Sequence, residues 1–154
     1  MKLAEALALR ADARRRVEQL RARITGSARY QEGEEPPEDA AALLADVDEA
    51  LDELEGLIRR INRTNAATDL GPGGTMTDAL ARRDVLRLRH AVLTGSADAA
   101  TGHGGGYRQL RSELRRLSAL PVGELRQRAD GVARETRELD ARIQRANWEV
   151  DLLD

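Results

Sequence analysis

Cysteine and phenylalanine are both missing from this chain of 154 residues, which carries one tryptophan, Trp148, and two tyrosines, Tyr30 and Tyr107. Without cysteine there is no disulfide framework, no thiolate metal site and no thiol nucleophile. Without aromatic bulk, Leu, Ala, Val and Ile must fill an interior that a chain of this length makes by burying roughly 68–70% of its unfolded surface. A thin, Ala-rich interior suits close-packed helices better than a sandwich or barrel, and it favours self-association, which covers stripes that a monomer leaves open. No apolar run approaches the ~18 residues that span a bilayer. In the opening "MKLAEALALRADARRR", acid and arginine interrupt the apolar positions, so the layout of a signal peptide is missing and a cytoplasmic location is expected.

Charge of one sign is locally scarce instead. Residues 1–29 hold eight bases against three acids, whereas residues 30–57 hold eleven acids and no base. The net charge of the chain is only −2. A basic segment followed by an acidic one reads as two arms of a hairpin that attract each other, with the arginines of "RADARRRVEQLRAR" meeting Asp46, Asp48, Glu49, Asp52, Glu53 and Glu55. Paired in this way, the basic patch is not offered to nucleic acid or to a membrane surface.

What is present is helical period. Leu3, Ala6, Arg10, Ala13, Val17, Leu20 and Ile24 recur in alternating steps of three and four, and predict a helix over about 2–25 with Arg10 in its seam. Leu43, Val47, Ala50, Leu54, Leu57 and Ile61, widened by Leu44, Leu51 and Ile58, predict a second over 39–67, with Glu38 and Asp39 at its positive N-terminal end. "DLGPGG" breaks the pattern. Thr75 and Asp78 then form a capping box that opens a third helix over 76–94, in which Ala81, Val85, Leu88 and Val92 line one face and Leu86 and Leu93 look elsewhere. Residues 95–107, "GSADAATGHGGGY", read as a flexible loop. Residues 107–121 fit either a helix or a short β-ribbon paired with "ARYQE" near residues 28–32, since Leu120 before Pro121 is biased to extended geometry. From Val122 to Leu153 the three–four rhythm runs unbroken and predicts a last helix over 122–152, about 45 Å long. The expected fold is all-α: one domain, an antiparallel bundle of long coiled-coil-like helices, with the ribbon as an option at one end.

If these rods run up, down, up and down, one end gathers Arg10, Asn62, Asn65, Thr68, Asp78, Arg82, Asp84, Asn147 and Trp148. A buried Arg10 would need a carboxylate, from Asp78 or Asp84, with Asn62 and Asn65 as further acceptors. Capping of helix ends explains such residues most simply; a polar network that fixes register or an oligomer contact is the second reading, and a ligand site the third. Elsewhere the chemistry is sparse. "GHGGG" lacks the phosphate-loop pattern, and His90 and His103 are too isolated for a catalytic dyad or a zinc site. "EGEEPPED" lacks the spacing of a calcium loop. No catalytic residue, metal or cofactor is predicted.

The segments "MKLAEALALRAD", "QEGEEPPED", "INRTNAAT", "TDALARRDVLRLR" and "ELDARIQRANWEVDLL" resemble, in order, a small and largely actinobacterial family of helical proteins of unknown function, some of whose members carry the label septicolysin. The resemblance covers nearly the whole chain and implies a hairpin-rich helical fold. The label implies a membrane-active cytolysin, for which the sequence has no spanning segment or apolar insertion hairpin. Residues 107–121 depart from the family pattern, with Leu, Arg and Pro where a more β-like run is expected. Together these readings predict a non-catalytic helical protein that associates with itself, with another protein as the alternative partner.

Overall fold

The computed structural model of the chain describes residues 1–102 and 114–154. It is all-α. Four long helices follow one another: α1 (Leu3–Ser27), α2 (Ala40–Ala67), α3 (Met76–Ala100) and α4 (Val122–Glu149). They belong to two compact units, the first made of Met1–Asp69 with Arg145–Asp154, the second of Leu70–Gln144.

In the first unit α1 packs along α2. The buried positions of α1 include Ala6, Ala13, Leu20 and Ser27, and those of α2 are Leu43, Ala50, Leu57 and Thr64, both series stepping by seven, with Ile61 as a further buried position. Leu20, Leu43 and Ala50 share a cluster with Val17, Ile24 and Val47 packed against it. Leu20 near the end of α1 thus meets Leu43 near the start of α2, as antiparallel rods require. Asp39 opens α2 by accepting from the backbone N–H groups of Ala41 and Ala42 at 3.0 and 3.2 Å. These bonds satisfy two of the four donors that a helix start leaves free.

In the second unit α3 and α4 are also antiparallel. Leu93 and Ala97 cluster with Leu125 and Ala129 at one end, and Arg83 and Arg87 reach Asp140 toward the other. The turn before α3 is closed by the Leu70 N–H donating to the Gly74 carbonyl and the Gly74 N–H donating to that of Gly71. The predicted capping box is present: Asp78 N–H donates to Thr75 Oγ1 at 3.3 Å, and Thr75 N–H to Asp78 Oδ2 at 2.7 Å. α4 starts directly after Pro121, whose carbonyl accepts from the Leu125 N–H at 3.0 Å.

Four expectations change. Gly95–Ala100 are not loop but the last turns of α3, where Ala97 is fully buried and keeps the helix in its hydrophobic cluster. The rest of the predicted loop, His103 included, lies outside the described residues apart from Thr101 and Gly102. No β-ribbon forms among the described residues: 28–32 and 114–121 carry no strand, and the one isolated bridge joins Lys2 to Asp151. The part of the ribbon reading on 107–113 is outside them too. α4 ends at Glu149 rather than 152, and residues beyond it leave the helix to form that bridge. Finally, the six acids predicted to pair with α1 are all exposed. Among the described residues the one ion pair that joins α1 to the acidic stretch is Arg23 with Glu38, ahead of α2. The seven-residue seam puts small apolar residues between the helices and leaves the acids pointing outward.

Candidate functional site

Two features could carry function, one in each unit: a polar end of the first, and the outer surface of α3 in the second.

The polar end is organised around Thr64. Its seam position, three residues after Ile61, puts a hydroxyl where the pattern would place an aliphatic side chain, and it is 1% exposed. Thr64 Oγ1 donates to the Arg60 carbonyl at 2.8 Å and accepts from the Leu153 N–H at 3.0 Å, which ties the segment after α4 to α2. Arg60 adds bonds to the Leu153 carbonyl at 3.1 Å and to Asp154 Oδ1 at 3.0 Å, and Arg63 reaches the Asp154 carbonyl at 2.5 Å. Leu152 between them is buried. The same segment pairs with the start of the chain: Leu3 N–H donates to Val150, and Leu152 N–H to Met1. The Lys2 ammonium donates to the Glu149 carbonyl at 2.9 Å and contacts Asp151 at 2.8 Å, so it covers the negative end of α4. That bond and the ammonium charge hold the Asp151 carboxyl below the usual range.

The expected polar residues divide between the units. Arg10, Asn62, Asn65, Thr68, Asn147 and Trp148 belong to the first; Asp78, Arg82 and Asp84 belong to the second. In the first, Asn147 is buried, Arg10, Asn65 and Thr68 are half-buried, and Asn62 is exposed. Thr68 caps α2, donating through both its N–H and its hydroxyl to the Thr64 carbonyl at 2.9 and 2.7 Å. Trp148 is 63% exposed, with its ring facing outward. Arg10 does occupy a seam position and is half-buried, and within this unit it pairs with no described carboxylate. Sequence reasoning missed Thr64, Arg60, Arg63 and the Lys2–Asp151 pair. The signal for Thr64 was available, since Leu57, Ile61 and Thr64 continue the four–three step.

In the second unit Asp78 is committed to its own helix start. The backbone N–H and the hydroxyl of Thr75 both donate to its Oδ2 and hold its carboxyl below the usual range. Arg82 bonds Glu135 through Nε at 3.0 Å and through its terminal nitrogen. Asp84 lies 3.6 Å from Arg83. A shallow cavity of about 290 Å³ is lined by Leu70, Ala79, Arg82, Glu135, Leu139 and Arg142, among others. Two of its cations are already engaged, Arg82 with Glu135 and Arg142 with the Leu70 carbonyl at 2.6 Å. No group of three or more metal-ligating side chains converges among the described residues.

The outer face of α3 is different in kind. Met76, Ala79, Leu86, Leu93 and Ala97 are the buried positions of this helix. The Ala81, Val85, Leu88 and Val92 stripe lies about 200° around the helix from that face, at 100° per residue. Val85 is 53%, Leu88 67% and Val92 66% exposed. Both stripes have helical period, and the Leu86–Leu93 stripe is the one that turns inward.

Residues 10–152 match a family of unknown function, DUF6847. The chain belongs to this family. It is also similar to the crystal structure of a functionally unknown conserved protein from Corynebacterium diphtheriae, with 38% sequence identity, 99% of each chain covered and a TM-score of 0.91. No curated protein matches the chain. Neither similarity carries the septicolysin label, and no described helix is long and apolar enough to cross a membrane.

Proposed function

We propose that this member of the family acts by binding rather than catalysis, as a helical protein that associates with itself through the outer face of α3. The observation that carries the reading is the Val85–Leu88–Val92 stripe, three aliphatic side chains more than half exposed on one line of one helix. Single exposed leucines are common on soluble proteins, but a contiguous stripe at helical spacing marks a surface that another helix covers. In the described cavity Arg82 is held by Glu135 and Arg142 by the Leu70 carbonyl, which supports a non-catalytic role. The thin interior points the same way, since covering the stripe adds apolar burial that the chain cannot make alone.

Sedimentation velocity across micromolar concentrations tests this. The expected result is a species of twice the 16.9 kDa chain mass or more, which reverts to monomer when Leu88→Glu is introduced and helicity is unchanged. A 16.9 kDa species at every concentration would overturn the reading.

A further inference from the structure

Resting on that reading, we infer that the outer stripe of α3 pairs in parallel with the α3 of a second copy of this chain, in a two-stranded seam closed on both sides by Asp84 of one copy and Arg89 of the other.

The stripe has the arithmetic of a heptad. Ala81, Val85, Leu88 and Val92 follow one another by four, three and four residues, which makes Val85 and Val92 the first positions of successive heptads and Ala81 and Leu88 the fourth. β-branched residues at the first position with leucine at the fourth are the combination that favours two parallel strands. The next two seam positions are Gly95 and Ala99, both exposed, so the helices can approach closely toward their C-terminal ends. Among the described residues, a Cβ on Gly95 would meet nothing beyond its own helix backbone and chain neighbours within 4 Å, which leaves that approach open. The buried face of α3 is turned away from the stripe, but the groove beside it, lined by Val85, Leu88, Val92 and Leu93 of α3 and by Arg128 of α4, leaves apolar surface for a partner helix to cover.

The flanking charges select the direction. Arg82 and Arg89 border one side of the stripe, Asp84 the other. In a parallel pair, the residue just before one heptad's first position lies beside the residue five places further on in its partner, so Asp84 meets Arg89 twice by symmetry. In an antiparallel pair centred between Val85 and Leu88, the arginine-bearing sides would face each other, so Arg89 would meet the Arg82–Glu135 pair and Asp84 would be left on the side away from the partner's arginines. Arg82 is already neutralised by Glu135 of its own chain, whereas Arg89 makes no ion pair with a described residue of its unit. Asp84 pairs with its neighbour Arg83 at 3.6 Å. Arg89 and Asp84 are both exposed, where a second copy can reach them.

The test uses the full chain, whose lack of cysteine allows single thiols to be placed at will. Leu88→Cys and Val85→Cys are each oxidised with copper phenanthroline, alone and mixed. In the parallel register identical positions face each other, so each variant cross-links to itself. Independently, Asp84→Arg and Arg89→Asp are each expected to weaken dimerisation by about tenfold, from two pairs turned repulsive, and the double reversal to restore it to within about threefold. Circular dichroism checks that every variant keeps its helices. A dimer in which Leu88→Cys cross-links only to Val85→Cys, or in which the double reversal fails to restore association, overturns the parallel seam while leaving self-association intact. A monomer under all conditions overturns both.

Discussion

At single residues the structure makes its sharpest commitments in backbone and capping geometry. Gly74 sits at φ +91°, in the left-handed region that side chains other than glycine rarely adopt, and a methyl there would collide with Asp78 Oδ2. Gly74→Ala is therefore expected to strain the turn and displace the cap together, lowering stability by about 1–3 kcal/mol in chemical denaturation. Thr64→Val keeps the shape of the side chain but removes a hydroxyl that bonds on both sides. It leaves the Leu153 N–H without its partner, at an expected cost of about 1–2 kcal/mol on the same measurement. Asp78 supplies a pH signature. Its carboxyl is held low in the folded chain by the two Thr75 bonds, so its contribution is fully present above the unfolded carboxylate pKa of about 3.9. That contribution fades as pH falls through the depressed folded value. Denaturation midpoints of Asp78→Asn and of the parent chain should differ at neutral pH and converge in acid; a gap that stays constant with pH would assign the cap's contribution to something other than the charge.

Among the elements, local period carries most of the information. The seams of α1 and α2, the break at "DLGPGG", the Thr75–Asp78 cap and the start of α4 after Pro121 were legible because each depends on residues within a few turns of one another. Three things were not. α3 has two apolar faces, and no local rule decides which one turns inward; Leu86 and Leu93 do, while Val85, Leu88 and Val92 face out. The seam position of Arg10 was legible but the partner of its charge was not, because a long flexible stem lets a guanidinium reach beyond the seam that its Cα occupies. The segment after α4 kept a helical rhythm in sequence, with Val150 and Leu153 in step, yet it leaves the helix because distant partners, Met1 and Thr64, take its backbone groups. Leu152 is the apolar anchor of that docking. Leu152→Ala should cost about 2 kcal/mol, at the low end for a buried leucine since the site lies at a margin that can relax. Hydrogen exchange at the Leu3 and Leu152 amides should accelerate with it, and unchanged exchange would mean that the backbone bonds hold the segment without the side chain.

For the molecule as a whole, composition and association are one argument. A chain without phenylalanine builds its seams from alanine and leucine, which pack closely but bury little area per residue. The apolar surface then left over on α3 has to meet water or another chain. If it meets a second copy, folding and association are linked, and the melting temperature depends on protein concentration, as mass action requires when only the folded state binds. The expectation is a midpoint that rises on going from micromolar to hundreds of micromolar chain. The rise should shrink in high salt, because the Asp84–Arg89 pairs flank the seam in water and are screened there. Leu88→Glu should abolish the concentration dependence and leave a single, lower midpoint. A parent chain whose midpoint is the same at all concentrations would mean that the stripe stays open to solvent, and that the thin interior is sufficient by itself.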